Sequence, residues 1–306
     1  MKYLKLFQTQ EEYDAYSIVD FPNISYVKGA KSVFYNTEVP FYIEAIEDLT
    51  VTMSFSSSEK AAYSLDKINW VNYTSSISIP AGNKVFFKAN MSTPSSRDTA
   101  RFNISAASKI GGNIMSMLYG EDYLGKTEVT QYCFKHMFYN QATIQDASAL
   151  LMPATTLAIF CYQNMFNGCT SLVNAPKILP APILVSRCYS SMFSGCASLV
   201  NAPALPATTL STECYASMFL NCTSLTTAPE LPAPIKTEDR CCQYMFYGCT
   251  QLCYIKALSS SNPSSYYTNW VSGVASTGTF VKSNGASWNS GVNGIPSGWT
   301  VEIAEA

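Results

Sequence analysis

From residue 40 to 105 apolar and polar positions alternate with a period of two, in the runs FYIEAI, LTVTMSF, AAYSL, WVNYT and SISIPAGNKVFFKANM. Alternation at that period puts the apolar side chains of a strand on one face. Short runs separated by turn residues predict a small antiparallel β-sandwich over residues 41–107. Ahead of it, residues 1–40 predict a strand at KYLKLF, a short polar helix from TQEEYDAY and a hairpin around Lys28-Gly29, together an anchoring β-α-β segment.

Beyond residue 107 the period changes. Leu157, Cys161, Tyr162, Met165 and Phe166 fall at i, i+4, i+5, i+8 and i+9, which predicts one buried face of a short helix. The same phrase recurs down the chain. Its methionines are Met137, Met165, Met192, Met218 and Met245, spaced by 28, 27, 26 and 27 residues, a period that signals a repeat array. Four residues before each stands Cys133, Cys161, Cys188, Cys214 or Cys241. Four residues after stands Cys169, Cys196, Cys222 or Cys249, with Gln141 in the first copy. Seven after stand Ile144, Leu172, Leu199, Leu225 and Leu252. Asn140, Gly168, Gly195, Asn221 and Gly248 occupy a column that tolerates left-handed backbone, so it reads as the residue ending each helix. The Ala-Pro and Leu-Pro steps that follow force extended backbone.

Each repeat therefore predicts a short helix, a turn, a short strand and a proline-bounded return. Such a unit cannot bury its apolar face alone, so copies stack. The fold class expected is mixed α/β and β-rich: small N-terminal β domains, then a solenoid of about five repeats of 26–28 residues over 108–258, then a cap over 259–306. In the cap, YTNWVSGV predicts a short helix, and GTFVKS and GWTVEIA predict two strands. As a separate unit, 108–306 is expected to fold without residues 1–105.

Charged residues make up 13% of the chain and the net charge is −2. Nothing basic enough for nucleic acid is present, and no apolar run reaches the roughly 18 residues that a membrane span requires. The opening MKYLKLFQTQEEYDAY lacks the apolar core of a secretory signal, which favours a protein that is not exported. All eleven cysteines lie between Cys133 and Cys253, nine of them in the two columns. Buried thiols are the favoured reading. Disulfides between neighbouring coils stay open, and the spacing lacks the paired motifs of a metal site.

The phrase C-Y-x-x-M-F-x-G-C-T-S-L-x-x-A-P, followed in two copies by PATTL, resembles the BspA-like leucine-rich repeats over residues 108–258. The family's commoner wording has Ile-Gly and Ala-Phe where this chain has Cys-Tyr and Met-Phe. The resemblance implies a leucine-rich-repeat solenoid without catalytic residues. It also implies a role among bacterial surface adhesins that bind host proteins, or among virion proteins of phages infecting gut bacteria.

Candidate chemistry is sparse. His136 is the only histidine, and its column continues as Asn164, Ser191, Ser217 and Tyr244, a variable set expected to be exposed and available for binding. Glu238 and Asp239 are adjacent on an irregular turn and read as solvated. KIGGN at residue 109 lacks the Lys-Ser/Thr ending of a phosphate loop. Tyr266, Tyr267, Trp270 and Trp288, within Ser/Gly/Asn loops of the cap, are candidate contact aromatics. No catalytic, metal-binding or cofactor-binding residue is assigned. The expectation is a non-enzymatic structural or adhesive protein, a phage head or tail fibre or decoration protein at the virion surface. It would attach to other virion proteins through its N-terminal region, form a homo-oligomer and touch a host-surface glycan or protein. The alternative is a leucine-rich-repeat adhesin on a bacterial cell surface. Neither nucleic acid nor membrane is expected as a partner.

Overall fold

A computed structural model describes residues 38–54, 60–91, 100–234, 237–261 and 265–305. The anchoring segment expected over 1–40 lies almost wholly outside them. Two sheets built from short alternating strands pack at the N-terminal end. The larger contains β1 (Tyr42–Ala45), β3 (Ala61–Ser64), β4 (Val71–Asn72), β6 (Lys84–Ala89), β8 (Ser108–Asn113) and β9 (Ile144–Leu151), in the order β4-β3-β6-β1-β8-β9. The smaller orders β5 (Ile77–Ile79), β2 (Leu49–Ser54) and β7 (Arg101–Ile104) as β5-β2-β7. Their inward alternate residues, among them Ile43, Val51, Val85, Phe87 and Phe102, are buried.

The boundary expected at 107/108 falls between β7 and β8, yet β8 sits inside the larger sheet. It pairs antiparallel with β1 and parallel with β9, which belongs to the first repeat. The Phe138 ring of that repeat lies 5.5 Å from Phe102 and 5.7 Å from Phe41. Gln141, standing where later copies have cysteine, accepts a hydrogen bond from the Ile104 amide at 2.8 Å. Sandwich and repeats thus share one core.

The mixed α/β leucine-rich-repeat solenoid expected over 108–258 is overturned. The protein is β-rich. Among the described residues the single α-helix, α1, is the four-residue Ser116–Tyr119, ahead of the repeats and followed by a 3-10 turn at Gly120–Tyr123. The sheets do not run along the repeats as a solenoid; consecutive copies meet through isolated parallel bridges such as Asp146↔Asn174 and Asn174↔Asn201. Proline explains the shortness of these bridges. Pro176, Pro203 and Pro229 follow the bridging segment within two residues, and proline has no amide to extend a ladder.

The expected helices give way to strings of tight turns. In the second copy the amides of Cys161, Gln163, Met165, Asn167 and Cys169 each bond the carbonyl three residues back. The intervening amides of Tyr162, Asn164, Phe166 and Gly168 instead bond Cys188, Ser190, Met192 and Ser194 of the next copy. A helix would use every amide internally, whereas here alternate ones join copy to copy. Every fourth residue is left-handed to keep this up: Phe160 (φ 59°), Asn164 (φ 56°) and Gly168 (φ 76°) in this copy. The Gly/Asn column is left-handed as its composition suggests, but it is the last of three such positions rather than the end of a helix. Glycine suits 168, where the backbone is left-handed and an added Cβ would displace Asn140 Oδ1 of the preceding copy.

The turns stack so that like sits on like. Phe138, Phe166, Phe193, Phe219 and Phe246 form a ladder with ring centroids 5.3–5.7 Å apart at its described steps. A second ladder runs Phe134, Tyr162, Tyr189, Tyr215. The first ends on Trp270, 5.8 Å beyond Phe246. There a parallel sheet of β10 (Tyr254–Lys256), β11 (Thr279–Lys282) and β12 (Thr300–Ile303) closes the stack. The cap strands form where alternation places them, while 267–274, expected helical, is a further run of turns as far as Gly273.

Candidate binding surface

The column His136, Asn164, Ser191, Ser217, Tyr244 is the middle left-handed position of successive copies, with φ between 55° and 59°. Each member is half-buried, which corrects the expected exposure. Each also gives its backbone amide to the neighbouring copy, from His136 to the Gln163 carbonyl at 3.1 Å through Tyr244 to the Thr268 carbonyl at 2.9 Å. The residues vary because the column demands a backbone conformation and leaves the side chain at the rim. His136 Nε2 lies 3.2 Å from Asn164 Nδ2, and its Nδ1 is buried without a hydrogen-bond partner.

Burial, with Lys135 and Arg101 nearby, pushes the His136 pKa down to about 4. The unfolded chain binds this proton near pH 6.5, so the group's contribution to stability is complete above that value and is lost as pH falls towards 4. Replacing His136 by Asn, the residue of the next copy and one that tolerates φ > 0, should therefore make the melting temperature less sensitive to pH between 7 and 5. An equal drop in both proteins would show that the imidazole plays no part.

The cap aromatics are not a contact surface. Trp270, Tyr267 and Trp288 are buried, and Tyr266 is half-buried. Tyr267, Trp270, Phe280 and Trp288 pack with centroids 5.0–6.3 Å apart. The indole N–H groups of Trp270 and Trp288 donate to the carbonyls of Gly294 and Ser259. Trp270 covers the last phenylalanine of the ladder and the other three rings pack around Trp270, a physical need that outweighs the loop-like composition around them.

Glu238 accepts hydrogen bonds from the Ser211 and Thr212 hydroxyls and the Thr212 amide, at 2.9–3.2 Å. Asp239 pairs with Arg240 at 3.2 Å. The first carboxylate therefore ties one copy to the one before it.

All eleven cysteines are free, and ten are buried. In the second column the thiols of Cys169, Cys196, Cys222 and Cys249 donate to the carbonyls of Phe138, Phe166, Phe193 and Phe219 at 3.0–3.1 Å, each reaching the preceding copy. Burial raises the Cys169 and Cys249 thiols to about 12. A thiol reagent at pH 8 should accordingly modify one cysteine, the exposed Cys253, in native protein and eleven after denaturation without reductant. A shortfall in the denatured count would reveal disulfides.

Among the described residues no group of three or more His, Cys, Asp or Glu side chains is placed to hold a metal ion, and no helix is long and apolar enough to cross a membrane. Comparison with protein families, with characterised proteins and with solved structures finds no match.

The more conspicuous outer row stands four residues earlier in each copy. Tyr132 stacks on Phe160 at 5.0 Å, and the Arg187 guanidinium lies 5.5 Å from the Phe160 ring centroid. Arg187 bonds both oxygens of Glu213 at 2.7 and 3.2 Å, and Arg240 approaches Glu213 at 3.6 Å. The signal for this row lies across the copies: aromatic, aromatic, Arg, Glu, Arg at one repeat position. A second outer row pairs Asn201 Nδ2 with Asn174 Oδ1 at 2.6 Å, beside the exposed Val173 and Val200. These rows present fixed side chains at repeat spacing, a geometry for contact with an extended surface.

Proposed function

We propose that the protein is a non-enzymatic structural and adhesive component of a phage virion, a fibre or decoration protein at the particle surface. One observation carries this reading: the stacked copies keep the same interior, while the outer rows change from copy to copy without disturbing it. Such an array varies its contacts at little cost to its fold. The repeat wording, similar to that of BspA-like arrays in surface and virion proteins, supports it. So does a core of thiols used as hydrogen-bond donors, which suits assembly in a reducing cytoplasm. The N-terminal region attaches to other virion proteins, the protein assembles as a homo-oligomer, and the outer rows meet a host-surface glycan or protein. It needs no cofactor.

Fractionating a culture that expresses the gene tests the reading. The protein should band in a density gradient with DNA-filled particles. Recovery instead from intact cells by protease shaving, with none in the particle band, would replace the virion by a bacterial surface adhesin.

A further inference from the structure

The C-terminal end of the stack finishes on β12, the outer strand of its sheet. The Thr300 amide bonds the Gly278 carbonyl and the Ala304 amide bonds the Lys282 carbonyl, both at 2.8 Å, so the even-numbered residues face β11. Val301 and Ile303 consequently turn their amides and carbonyls away from the sheet. All four strand residues are exposed, Val301 at 44% and Ile303 at 50%. An open edge of this kind, with two exposed apolar residues and without lysine or proline, is available for pairing with another strand. The strand and the residues after it carry Glu302 and Glu305, three residues apart and both exposed.

We infer that this edge receives residues 2–7 of a second copy of the chain as an added antiparallel strand. Those residues read Lys-Tyr-Leu-Lys-Leu-Phe, with their two lysines also three apart. One antiparallel register sets Lys5 opposite Glu302 and Lys2 opposite Glu305. The same register sets Leu4 opposite Ile303 and Leu6 opposite Val301. It therefore joins both charge pairs and both apolar pairs at once, and the two leucines fall at the positions that exchange backbone hydrogen bonds with the outward amides. Thirty residues separate Phe7 from Glu38, a tether with a reach of up to about 100 Å. Residue 38 lies at the sandwich end of the stack and β12 at the other, so the contact is head-to-tail and builds rings or filaments rather than a symmetric pair. This contact rests on the edge and the tail alone, and holds whether the assembly decorates a particle or a cell.

Purified full-length protein should self-associate with rising concentration in analytical ultracentrifugation. Val301→Pro removes an outward amide without touching the β11 ladder; it should sediment as monomer and melt like the wild type. Lys2→Glu/Lys5→Glu and Glu302→Lys/Glu305→Lys should each be monomeric alone and co-assemble into alternating rings or filaments when mixed. A monomeric wild type would overturn the proposal, as would undiminished association of Val301→Pro or failure of the mixed charge variants to pair. A monomer whose Val301 and Ile303 amides exchange slowly, and lose that protection when residues 2–7 are deleted, would overturn the second copy in favour of the chain's own tail.

Discussion

Removing residues 1–107 should leave 108–306 unable to fold cooperatively. The cut strips β8 of its antiparallel partner β1 along the register Tyr42↔Gly111 to Ala45↔Ser108. It takes Phe41 and Phe102 from the Phe138 ring and the Ile104 amide from Gln141. It also removes the amide of Phe102, which bonds the Met137 carbonyl at 2.9 Å. The first coil would open the Phe138 side of its core to water. Burial of two phenylalanine rings and one strand face is worth several kcal/mol at roughly 1.5–3 kcal/mol per large side chain, comparable with the 5–15 kcal/mol of a whole domain. Far-UV circular dichroism with thermal melting reads the outcome. Excising residues 188–213 is the contrasting case: it joins Arg187 to Cys214 and leaves the stack one copy shorter, so a sharp melt should survive. A sharp melt of 108–306 would mean that the shared core is dispensable.

Leu199→Asp should unfold the protein at ordinary temperature. Leu199 is fully buried in a column with Ile144, Leu172, Leu225 and Leu252, all equally buried. Leu→Ala at such a site costs about 2–5 kcal/mol through the cavity it leaves. A carboxylate adds the burial of a charge with no cation within the column, so the total exceeds about 5 kcal/mol. Leu199→Ala should thus fold with a lowered urea midpoint while Leu199→Asp does not. If the aspartate variant kept a wild-type midpoint, the column would have to face solvent.

The recurrence of Cys, Met, Phe and Leu at fixed offsets was enough to identify the interior. Cys161, Met165, Phe166, Cys169 and Leu172 are all fully buried, as are their counterparts in later copies. Apolar identity repeated at one position needs a repeated apolar environment, and no partner has to be known to infer it. The local alternation in FYIEAI and NKVFFKA likewise marked β1 and β6, because two-residue periodicity is a property of the strand itself.

What the chain could not reveal alone was where its hydrogen bonds go. Cys161, Met165 and Cys169 recur every four residues without the drift of about 40° per four residues that a 3.6-residue turn imposes. That strict period is visible, but its cause is the neighbouring copy: alternate amides bond 26 or so residues away, as from Phe166 to the Met192 carbonyl, and a helix is thereby forbidden. The same dependence on distant partners decided the rest. β8 joined the sandwich because β1 offered an open edge, and His136 became half-buried because Asn164 of the next coil lies against it. Trp270 and Trp288 left the surface because the final Phe246 ring required a cover. Sequence determined which side chains avoid water; only the stacking of one copy on the next decided which backbone would carry them there, since a backbone hydrogen bond to a partner 26 residues away leaves no mark on the residues that make it.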